Sequence, residues 1–207
     1  MSPAQLDKYL HADRDLITKL VPEEAVVLDL GCGDGTLLAE LADNKNVRGR
    51  GIDLNENNII RCIDRGLSVC QANLDQGLGD YPDESYDYVI LNQTLQVINN
   101  PIMIVREMLR VGKYGIVGFP NFGHWLVRAK LLLSGRMPKT SILPFEWYDT
   151  PNIHSLSIRD FRDFCQREHI EIVREEYLIC CSWMSTQIVR PFANFFALNG
   201  MFVIKKQ

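Results

Sequence analysis

The sequence lacks the patterns that define several broad classes of protein. Its six cysteines form no Cys-x-x-Cys pair and no Cys/His quartet, so no metal site is predicted and we expect reduced thiols in a cytoplasm. Residues 1–20 contain three aspartates and lack the apolar centre of a secretory leader. The most apolar stretch, 188–204, is interrupted by Arg190 and Pro191, which is not the pattern of a membrane span.

Neither sign of charge is in large excess. The chain has 207 residues, with 22 Lys and Arg against 26 Asp and Glu and a net charge of −4. A protein that binds bulk nucleic acid needs a basic surface, so this class is disfavoured. The charge is nevertheless unevenly placed. Residues 1–123 hold 11 basic and 18 acidic side chains, a net −7, whereas 124–207 hold 11 and 8, a net +3.

What the sequence does contain is a regular alternation of strand and helix patterns. The length fits a single domain over the whole chain, and no repeat or low-complexity linker divides it. Asn100 and Pro101 fit the N-cap and first residue of a helix. Strands alternating with helices predict an α/β fold, with a parallel sheet covered on both faces. Strands are predicted at 25–30, 47–53, 67–71, 86–91 and 114–119, and helices at 4–20, 36–41, 56–65 and 101–110.

The alternation stops at residue 121, where an insert, 121–156, is predicted to hold a helix near 124–134 and then a proline-containing loop. No acidic residue lies between Glu107 and Glu146. This segment is either a substrate lid or a surface for an acidic partner, or it is a solvated basic face. Its basic residues are Arg128, Lys130, Arg136 and Lys139, and its helix is predicted to place Trp125, Leu126, Ala129, Leu132 and Leu133 on one face.

The chain after the insert is predicted to complete the sheet. Ser157, followed three residues later by Asp160, fits the N-cap of a further helix. Two strand-like segments follow, at 171–180 and 197–205. The connection between them is too short for a helical crossover, so we expect them to pair antiparallel.

The most specific signal is a glycine turn, Gly-Cys-Gly-Asp-Gly at 31–35, between the first predicted strand and helix. Glycine lets the backbone take a positive φ and lets a ligand approach it closely. The helix that follows offers unpaired N–H groups at its first turn. Asp53 ends the next predicted strand, where a carboxylate can accept the hydroxyls of a ribose. The combination favours a nucleoside site over a turn that only eases packing.

The spacing of this turn separates two classes of cofactor. A dinucleotide fingerprint would have its third glycine at position 36, but that residue is Thr36 and the glycine is Gly35. Asp34 places a carboxylate where a pyrophosphate would lie. A ligand with a ribose and no phosphate, such as S-adenosylmethionine, therefore fits better than NAD.

The motifs resemble those of class I S-adenosylmethionine-dependent methyltransferases. Residues 27–36 resemble their motif I, 51–54 resemble their second motif, and 107–111 resembles the helix before strand five. Asp75 matches the acid that commonly faces the adenine amine in that superfamily. The resemblance implies a Rossmann-like, mostly parallel sheet of seven strands in the order 3-2-1-4-5-7-6, with the last strand antiparallel. It implies that S-adenosylmethionine or S-adenosylhomocysteine binds at Asp29, Gly31, Cys32, Gly33, Gly35, Asp53, Leu54, Leu74, Asp75 and Asn92.

Four blocks match one family within that superfamily more closely. Residues 28–35, 92–96, 119–125 and 147–154 closely resemble the methionine biosynthesis protein MetW family. This resemblance implies a methyltransferase-fold protein that partners homoserine O-acetyltransferase, the MetX enzyme, and supports its activity in a complex. Two alternatives stay open: methyl transfer to a small molecule, and binding of S-adenosylmethionine as a sensed end product.

The sequence does not identify a catalytic residue. It has no Gly-x-Ser-x-Gly elbow and no spaced metal ligands, so hydrolytic and metal chemistry are disfavoured. His124 and His154 flank the insert and could act as general bases, but no carboxylate partner is evident and a structural role is favoured. Asn92 contacts either the cofactor or the local backbone. Methyl transfer depends largely on proximity and alignment, so the lack of a base does not exclude an enzyme.

Overall fold

The computed structural model of the chain describes residues 3–140, 143–179, 182–184 and 190–207. The helices are α1 (Pro3–Leu20), α2 (Thr36–Lys45), α3 (Glu56–Asp64), α4 (Pro101–Val111), α5 (Trp125–Ser134), α6 (Ile158–Arg167) and α7 (Ala193–Phe196). The strands are β1 (Val26–Leu30), β2 (Arg48–Asp53), β3 (Ser68–Gln71), β4 (Tyr86–Asn92), β5 (Gly112–Pro120), β6 (Ile170–Ile179), β7 (Ser182–Met184) and β8 (Asn199–Lys206). None of these helices has both the length and the apolar character needed to cross a membrane.

The strands form one sheet in the order β3-β2-β1-β4-β5-β8-β6-β7. Neighbours from β3 to β5 pair in parallel, with Leu28 of β1 opposite both Arg50 of β2 and Val89 of β4. β8 runs antiparallel between β5 and β6. The predicted seven-strand order is therefore confirmed, and β7 is a three-residue addition at the edge beyond β6.

The antiparallel pair at the end of the chain also follows the prediction. The strand predicted at 171–180 is β6, and residue 180 itself lies outside the described residues. The strand predicted at 197–205 is β8, which pairs with β6 from Ile170 opposite Lys206 to Leu178 opposite Asn199. β7 was not predicted, because three residues are too few to show an alternating pattern.

Both faces of the sheet are buried, as continuous apolar strands predict. Neighbouring side chains on β1 point to opposite faces. Val27 packs in a cluster with Leu38 of α2, whereas Leu28 packs in a second cluster with Ile104 of α4. All four side chains are almost fully buried. The strands are therefore held from both sides, and the loops at their carboxyl ends start from fixed positions.

Two predicted helix starts are confirmed in detail. Asn100 Oδ1 accepts a hydrogen bond from the N–H of Met103, and Pro101 is the first residue of α4. Ser157 and Asp160 form a reciprocal capping box at the start of α6. These local contacts fix where each helix leaves the loop that precedes it.

Candidate functional site

The glycine turn lies at the carboxyl edge of the sheet, between β1 and α2. The N–H groups of Gly31 and Cys32 both donate to the carbonyl of Ile52 on β2, at 2.8 and 3.0 Å. Gly31, Gly33 and Gly35 have φ values of 78°, 56° and 77°. In this left-handed region a side chain is strained, so the backbone of the turn requires these glycines.

The three glycines differ in what surrounds them. A Cβ atom on Gly31 would lie 2.5 Å from Thr94 Oγ1, and one on Gly35 would lie 2.5 Å from Leu67 Cδ1. A Cβ atom on Gly33 would meet no described atom within 4 Å. Gly31 and Gly35 are therefore needed for packing, whereas Gly33 presents bare backbone to open space that a ligand could fill.

A carboxylate lies just before the first turn of α2. Asp34 Oδ1 accepts from the N–H and the hydroxyl of Thr36, at 3.1 and 2.8 Å, and Oδ2 lies 3.0 Å from Arg65 Nη2. Burial acts to raise the pKa of Asp34, but the hydrogen bonds from Thr36 and the charge of Arg65 lower it overall. The helix terminus that would hold a pyrophosphate thus already holds an anion.

Asp53 joins β2 to the glycine turn. Its Oδ2 accepts from the N–H of Gly33 at 2.9 Å, and its Oδ1 accepts from Asn55 N–H at 2.8 Å and from Asn58 Nδ2 at 3.2 Å. A carboxylate offers about four lone-pair positions. A ribose that used both hydroxyls on Asp53 would therefore displace one of these donors. Leu54, the next residue, is an apolar side chain that is 64% exposed.

Leu74 and Asp75 lie on a short turn after β3. Asp75 Oδ1 accepts from the N–H groups of Asn99 and Asn100, at 2.8 and 3.2 Å, and Oδ2 accepts from Asn99 Nδ2 at 2.6 Å. Burial acts to raise the pKa of Asp75, but these hydrogen bonds lower it overall. Leu74 packs against the core. Asp75 thus ties this turn to the loop before α4, and its contact with an adenine amine stays a prediction.

Asp29 is the buried member of a pair of carboxylates beside the turn. It is 3% exposed, and burial, with a smaller contribution from the charge of Asp53, raises its pKa to about 7. Within the described ranges, no group donates a hydrogen bond to its side chain. Burial also raises the pKa of the nearby Cys32 thiol, which makes this cysteine a poor nucleophile. Asp29 and Asp53 are neighbouring carboxylates, and Asp29 lacks a hydrogen-bond donor in the described part of the chain. Such a pair forms a site that favours a positively charged group.

A second group of buried polar side chains lies at the end of β4. Gln93 Nε2 donates to Asp13 Oδ2 at 2.9 Å, Asn199 Nδ2 donates to the same oxygen at 3.5 Å, and Gln96 Nε2 donates to the carbonyl of Gln93 at 2.9 Å. Four buried oxygens here accept no hydrogen bond from the described residues: Asp13 Oδ1, Asn92 Oδ1, Gln96 Oε1 and Asn199 Oδ1. The polar cluster, as we call it, consists of five residues: Asp13, Asn92, Gln93, Gln96 and Asn199. Native proteins rarely bury unpaired acceptors, so the polar cluster needs an explanation.

Within the polar cluster, only Asn92 was predicted from the sequence as a cofactor-binding residue. Burial raises the pKa of Asp13 to about 6, although hydrogen bonds from Gln93 and Asn199 act to lower it. The missed signal was its position: Asp13 lies three and four residues before Leu16 and Ile17, on the apolar face of α1. Gln93 also has a φ of 56°, a strained value for a residue with a side chain.

The two histidines of the insert have different surroundings. His124 is buried, its Nδ1 accepts from the N–H of Leu126 at 3.2 Å as the cap of α5, and burial lowers its pKa. This confirms its structural role. The N–H groups of Ile153 and His154 donate to the carbonyl of Gln96, at 2.8 and 3.0 Å, and His154 Nε2 is buried with no partner in the described part of the chain. The end of the insert therefore lies on the polar cluster.

Comparison with known proteins places the chain among methionine biosynthesis proteins. A relative from Rhodopirellula baltica, described as the bifunctional methionine biosynthesis protein MetXA/MetW, is 36% identical over 180 residues. The match covers 83% of this chain and 29% of the relative. The chain thus spans less than a third of that relative's length.

Solved structures show how widely the fold occurs. A SAM-dependent methyltransferase from Archaeoglobus fulgidus superposes with a TM-score of 0.65 at 14% identity, covering 100% of both chains. The [4+2]-cyclase SpnF superposes with a TM-score of 0.64 at 14% identity, covering 93% of this chain and 80% of the other. Such low identity shows the fold alone. The family model described as "Methionine biosynthesis protein MetW" matches residues 11–204, and the chain belongs to that family.

Proposed function

We propose that this protein binds S-adenosylmethionine or S-adenosylhomocysteine at the glycine turn and, in a cytoplasmic complex, activates the homoserine O-acetyltransferase of its pathway. The observation that carries the binding proposal is the open backbone at Gly33, which lies between β1 and the carboxylate of Asp53. The partnership is supported by the relative whose description combines MetXA and MetW.

The chemistry of the site fits a nucleoside that carries a positive charge. S-adenosylmethionine has a sulfonium, a ribose and no phosphate, and when bound it supplies an activated methyl group. Asp53 would hold the ribose, and Asp29 would face a cation in surroundings where its own ionisation is otherwise unfavourable. Asp34 at the start of α2 would repel the pyrophosphate of a dinucleotide.

Activation of a partner requires only differential binding. The sequence holds no serine elbow for acyl chemistry, so the acetyl group would be transferred by the partner alone. A protein that binds one state of an enzyme more tightly shifts its population, and about 1.4 kcal/mol of difference changes the ratio tenfold. The role therefore needs a surface and a ligand site, and no catalytic group of its own.

The binding proposal is tested by calorimetry with S-adenosylmethionine, S-adenosylhomocysteine and NAD. Gly33→Ala places a methyl group where the ligand would lie and should weaken binding at least tenfold. Gly66→Ala is the matched control, because Gly66 also has a positive φ, 73°, and open space around its Cβ position. The proposal would be contradicted if the natural chain bound neither S-adenosylmethionine nor S-adenosylhomocysteine, or if it bound NAD equally well.

The partner proposal is tested by titrating purified homoserine O-acetyltransferase from the same organism with this chain, with and without S-adenosylmethionine. We expect acetyltransferase activity to rise to a plateau at the concentrations where binding is measured. A flat activity curve under conditions of measured binding would reject activation. A change in the plateau or midpoint with S-adenosylmethionine would favour its role as a sensed end product.

The polar cluster favours a second candidate, methyl transfer to a small molecule. Its unpaired acceptors lie at the end of β4, the edge at which open α/β sheets bind their ligands. Such acceptors suit the N–H or O–H groups of a methyl acceptor. Incubation of pathway metabolites with methyl-labelled S-adenosylmethionine tests this. If labelled product forms with the natural chain and is lost with Asp13→Asn, the protein would be favoured as a methyltransferase. If no methyl group is transferred, only the proposed binding role would remain.

A further inference from the structure

Exposed apolar side chains are concentrated in two short segments. Of the 17 large apolar side chains that are exposed in the described part of the chain, 11 lie within 125–148 or 192–196. Leu132 and Leu133 are each 85% exposed, and Trp147 is 74% exposed. Single exposed leucines are normal on a protein surface, but a group of this kind marks a site of interaction.

Helix α5 has little support from the rest of the fold. Val127 is buried and His124 caps its start, yet every residue from 131 to 137 is exposed. No other helix or strand in the described ranges packs extensively against α5. On the predicted apolar face of α5, Leu126 and Ala129 are half-buried, whereas Trp125, Leu132 and Leu133 are exposed in the single chain. A helix that exposes consecutive leucines is stable in water only at a cost, which a partner would remove.

A groove lies between α5 and the loop that follows it. Its volume is about 230 Å³, and its lining includes Val127, Leu131, Met137, Leu143, Phe145 and Trp147. The space is large enough for one bulky apolar side chain. Interfaces often gain most of their affinity from such an anchor in an apolar pocket, surrounded by contacts that exclude water.

The charge beside the groove selects the kind of partner. Residues 124–148 carry four basic side chains and a single acidic one, Glu146, a net charge of +3. Arg128 lies over the ring of Phe195 on α7, with 5.7 Å between the guanidinium carbon and the ring centroid, so α5 and α7 form one continuous surface. Two copies of this surface would repel each other, whereas a partner with carboxylates would be attracted.

We propose that the insert surface, defined as α5, the described loop residues 135–140 and 143–148, and α7, is where the homoserine O-acetyltransferase docks. The partner contributes an apolar side chain to the groove and carboxylates opposite the basic residues. This inference rests on the partnership proposed above and adds its location. The glycine turn is not part of the insert surface, so a variant of that surface can lose docking and still keep every contact with the ligand.

The test compares two pairs of exposed aliphatic residues on different helices. Leu132→Ala with Leu133→Ala removes apolar area from the insert surface, and Ile60→Ala with Ile63→Ala removes it from α3, where these residues are 49% and 60% exposed. Affinity for purified acetyltransferase is measured by calorimetry, and folding by thermal unfolding. The leucine pair should weaken binding at least tenfold, the isoleucine pair less than twofold, and both should retain binding of S-adenosylhomocysteine.

The outcomes separate the location from the partnership. If the natural chain binds the acetyltransferase and both double variants bind it equally well, the partnership stands and the location is wrong. If the natural chain does not bind, the partnership itself fails. Sedimentation of the chain alone provides a further check. A homodimer that the leucine pair abolishes would assign the surface to a second copy and overturn the proposal. Trp147→Ala, which opens the groove, should weaken acetyltransferase binding as strongly as the leucine pair.

Discussion

The glycine turn and the insert surface depart from the usual rules of burial in opposite directions. Beside the turn, Asp29 is buried as an acid that has no hydrogen-bond donor among the described residues. On the insert surface, Leu132 and Leu133 are apolar and almost fully exposed. The first arrangement suits a small ligand with positive charge or donor groups, and the second suits an apolar protein surface. Local violations of otherwise consistent rules thus distinguish two candidate functional regions within one fold.

The largest loss of stability is expected from a substitution at Gly31 in the glycine turn. Gly31→Ala forces a side chain into the left-handed region, which costs about 1–2 kcal/mol, and overlaps Thr94, which adds about 1–3 kcal/mol. Gly66→Ala has the same backbone strain without the overlap. We expect urea unfolding to show a clearly larger loss of stability for Gly31→Ala. Equal losses would mean that the turn relaxes around the new methyl group.

Asp29 tests whether the buried carboxylate opposes folding. Its pKa is raised from 3.8 to about 7 in the folded chain, so the folded state holds the proton more tightly than the unfolded state does. Its contribution to stability is therefore full below pH 4 and is lost as the pH rises through 7. Asp29→Asn should be more stable than the natural chain at pH 8, by about 2–4 kcal/mol, and should bind S-adenosylmethionine more weakly.

Urea unfolding of the natural chain and of Asp29→Asn between pH 4 and 8 measures the difference in their stability. Because the other acids, such as Asp13, are present in both, the difference reports on Asp29. Asp64→Asn, at the exposed end of α3, is the control for replacing an acid by an amide at the surface. Parallel stability curves for the natural chain and Asp29→Asn would show that Asp29 finds a donor in solution.

His124 fixes the start of α5 in the insert, because its side chain caps the helix. His124→Ala removes the cap and should cost about 1 kcal/mol, whereas His124→Asn keeps a capping side chain and should cost less. Burial lowers the pKa of His124 below 6.5. Stability is therefore full above pH 6.5 and is lost as the pH falls, and His124→Asn should remove this part of the pH dependence. Thermal unfolding at pH 5 and 8 measures both effects.

The smallest effect is expected at Lys139, whose pair with Glu146 at 2.8 Å is exposed to solvent. Exposed ion pairs contribute little to stability, so Lys139→Gln should leave the melting temperature unchanged. Because Lys139 lies on the insert surface, Lys139→Gln should still slow association with the acetyltransferase. The difference in association rate from the natural chain should vanish at high salt. Stopped-flow association rates at two salt concentrations measure this. A lowered melting temperature with unchanged association would place the role of Lys139 within the fold.

Features that depend on local chemistry could be predicted from the sequence. The apolar runs of β1 and β4, the cap at Asn100 and the capping box at Ser157 each require only nearby residues, and each is found as predicted. The glycines at 31–35 likewise indicate a backbone with positive φ angles, because this conformation depends on the residue itself. Asp53 was assigned a position at the end of β2, and that position is confirmed.

Features that depend on the meeting of distant segments could not be predicted. Asp13 contacts Gln93 and Asn199 across gaps of 80 and 186 residues, and no local pattern encodes that meeting. The apolar residues of α5 were expected to share one face, and they do, but whether that face is covered depends on the rest of the fold. The structure buries Val127 and exposes Leu132.

Hydrogen bonds connect the end of the insert through Gln96 and Gln93 to Asp13 on α1, at the same edge of the sheet as the glycine turn. The N–H groups of residues 153 and 154 donate to the Gln96 carbonyl. Gln96 donates to the carbonyl of Gln93, and Gln93 donates to Asp13 on α1. If the proposed nucleoside strengthens docking of the proposed acetyltransferase, thermodynamic reciprocity requires docking to strengthen nucleoside binding by the same factor. In a cell with abundant acetyltransferase, the concentration of S-adenosylmethionine to which this chain responds would then be a property of the complex, lower than that measured on the chain alone.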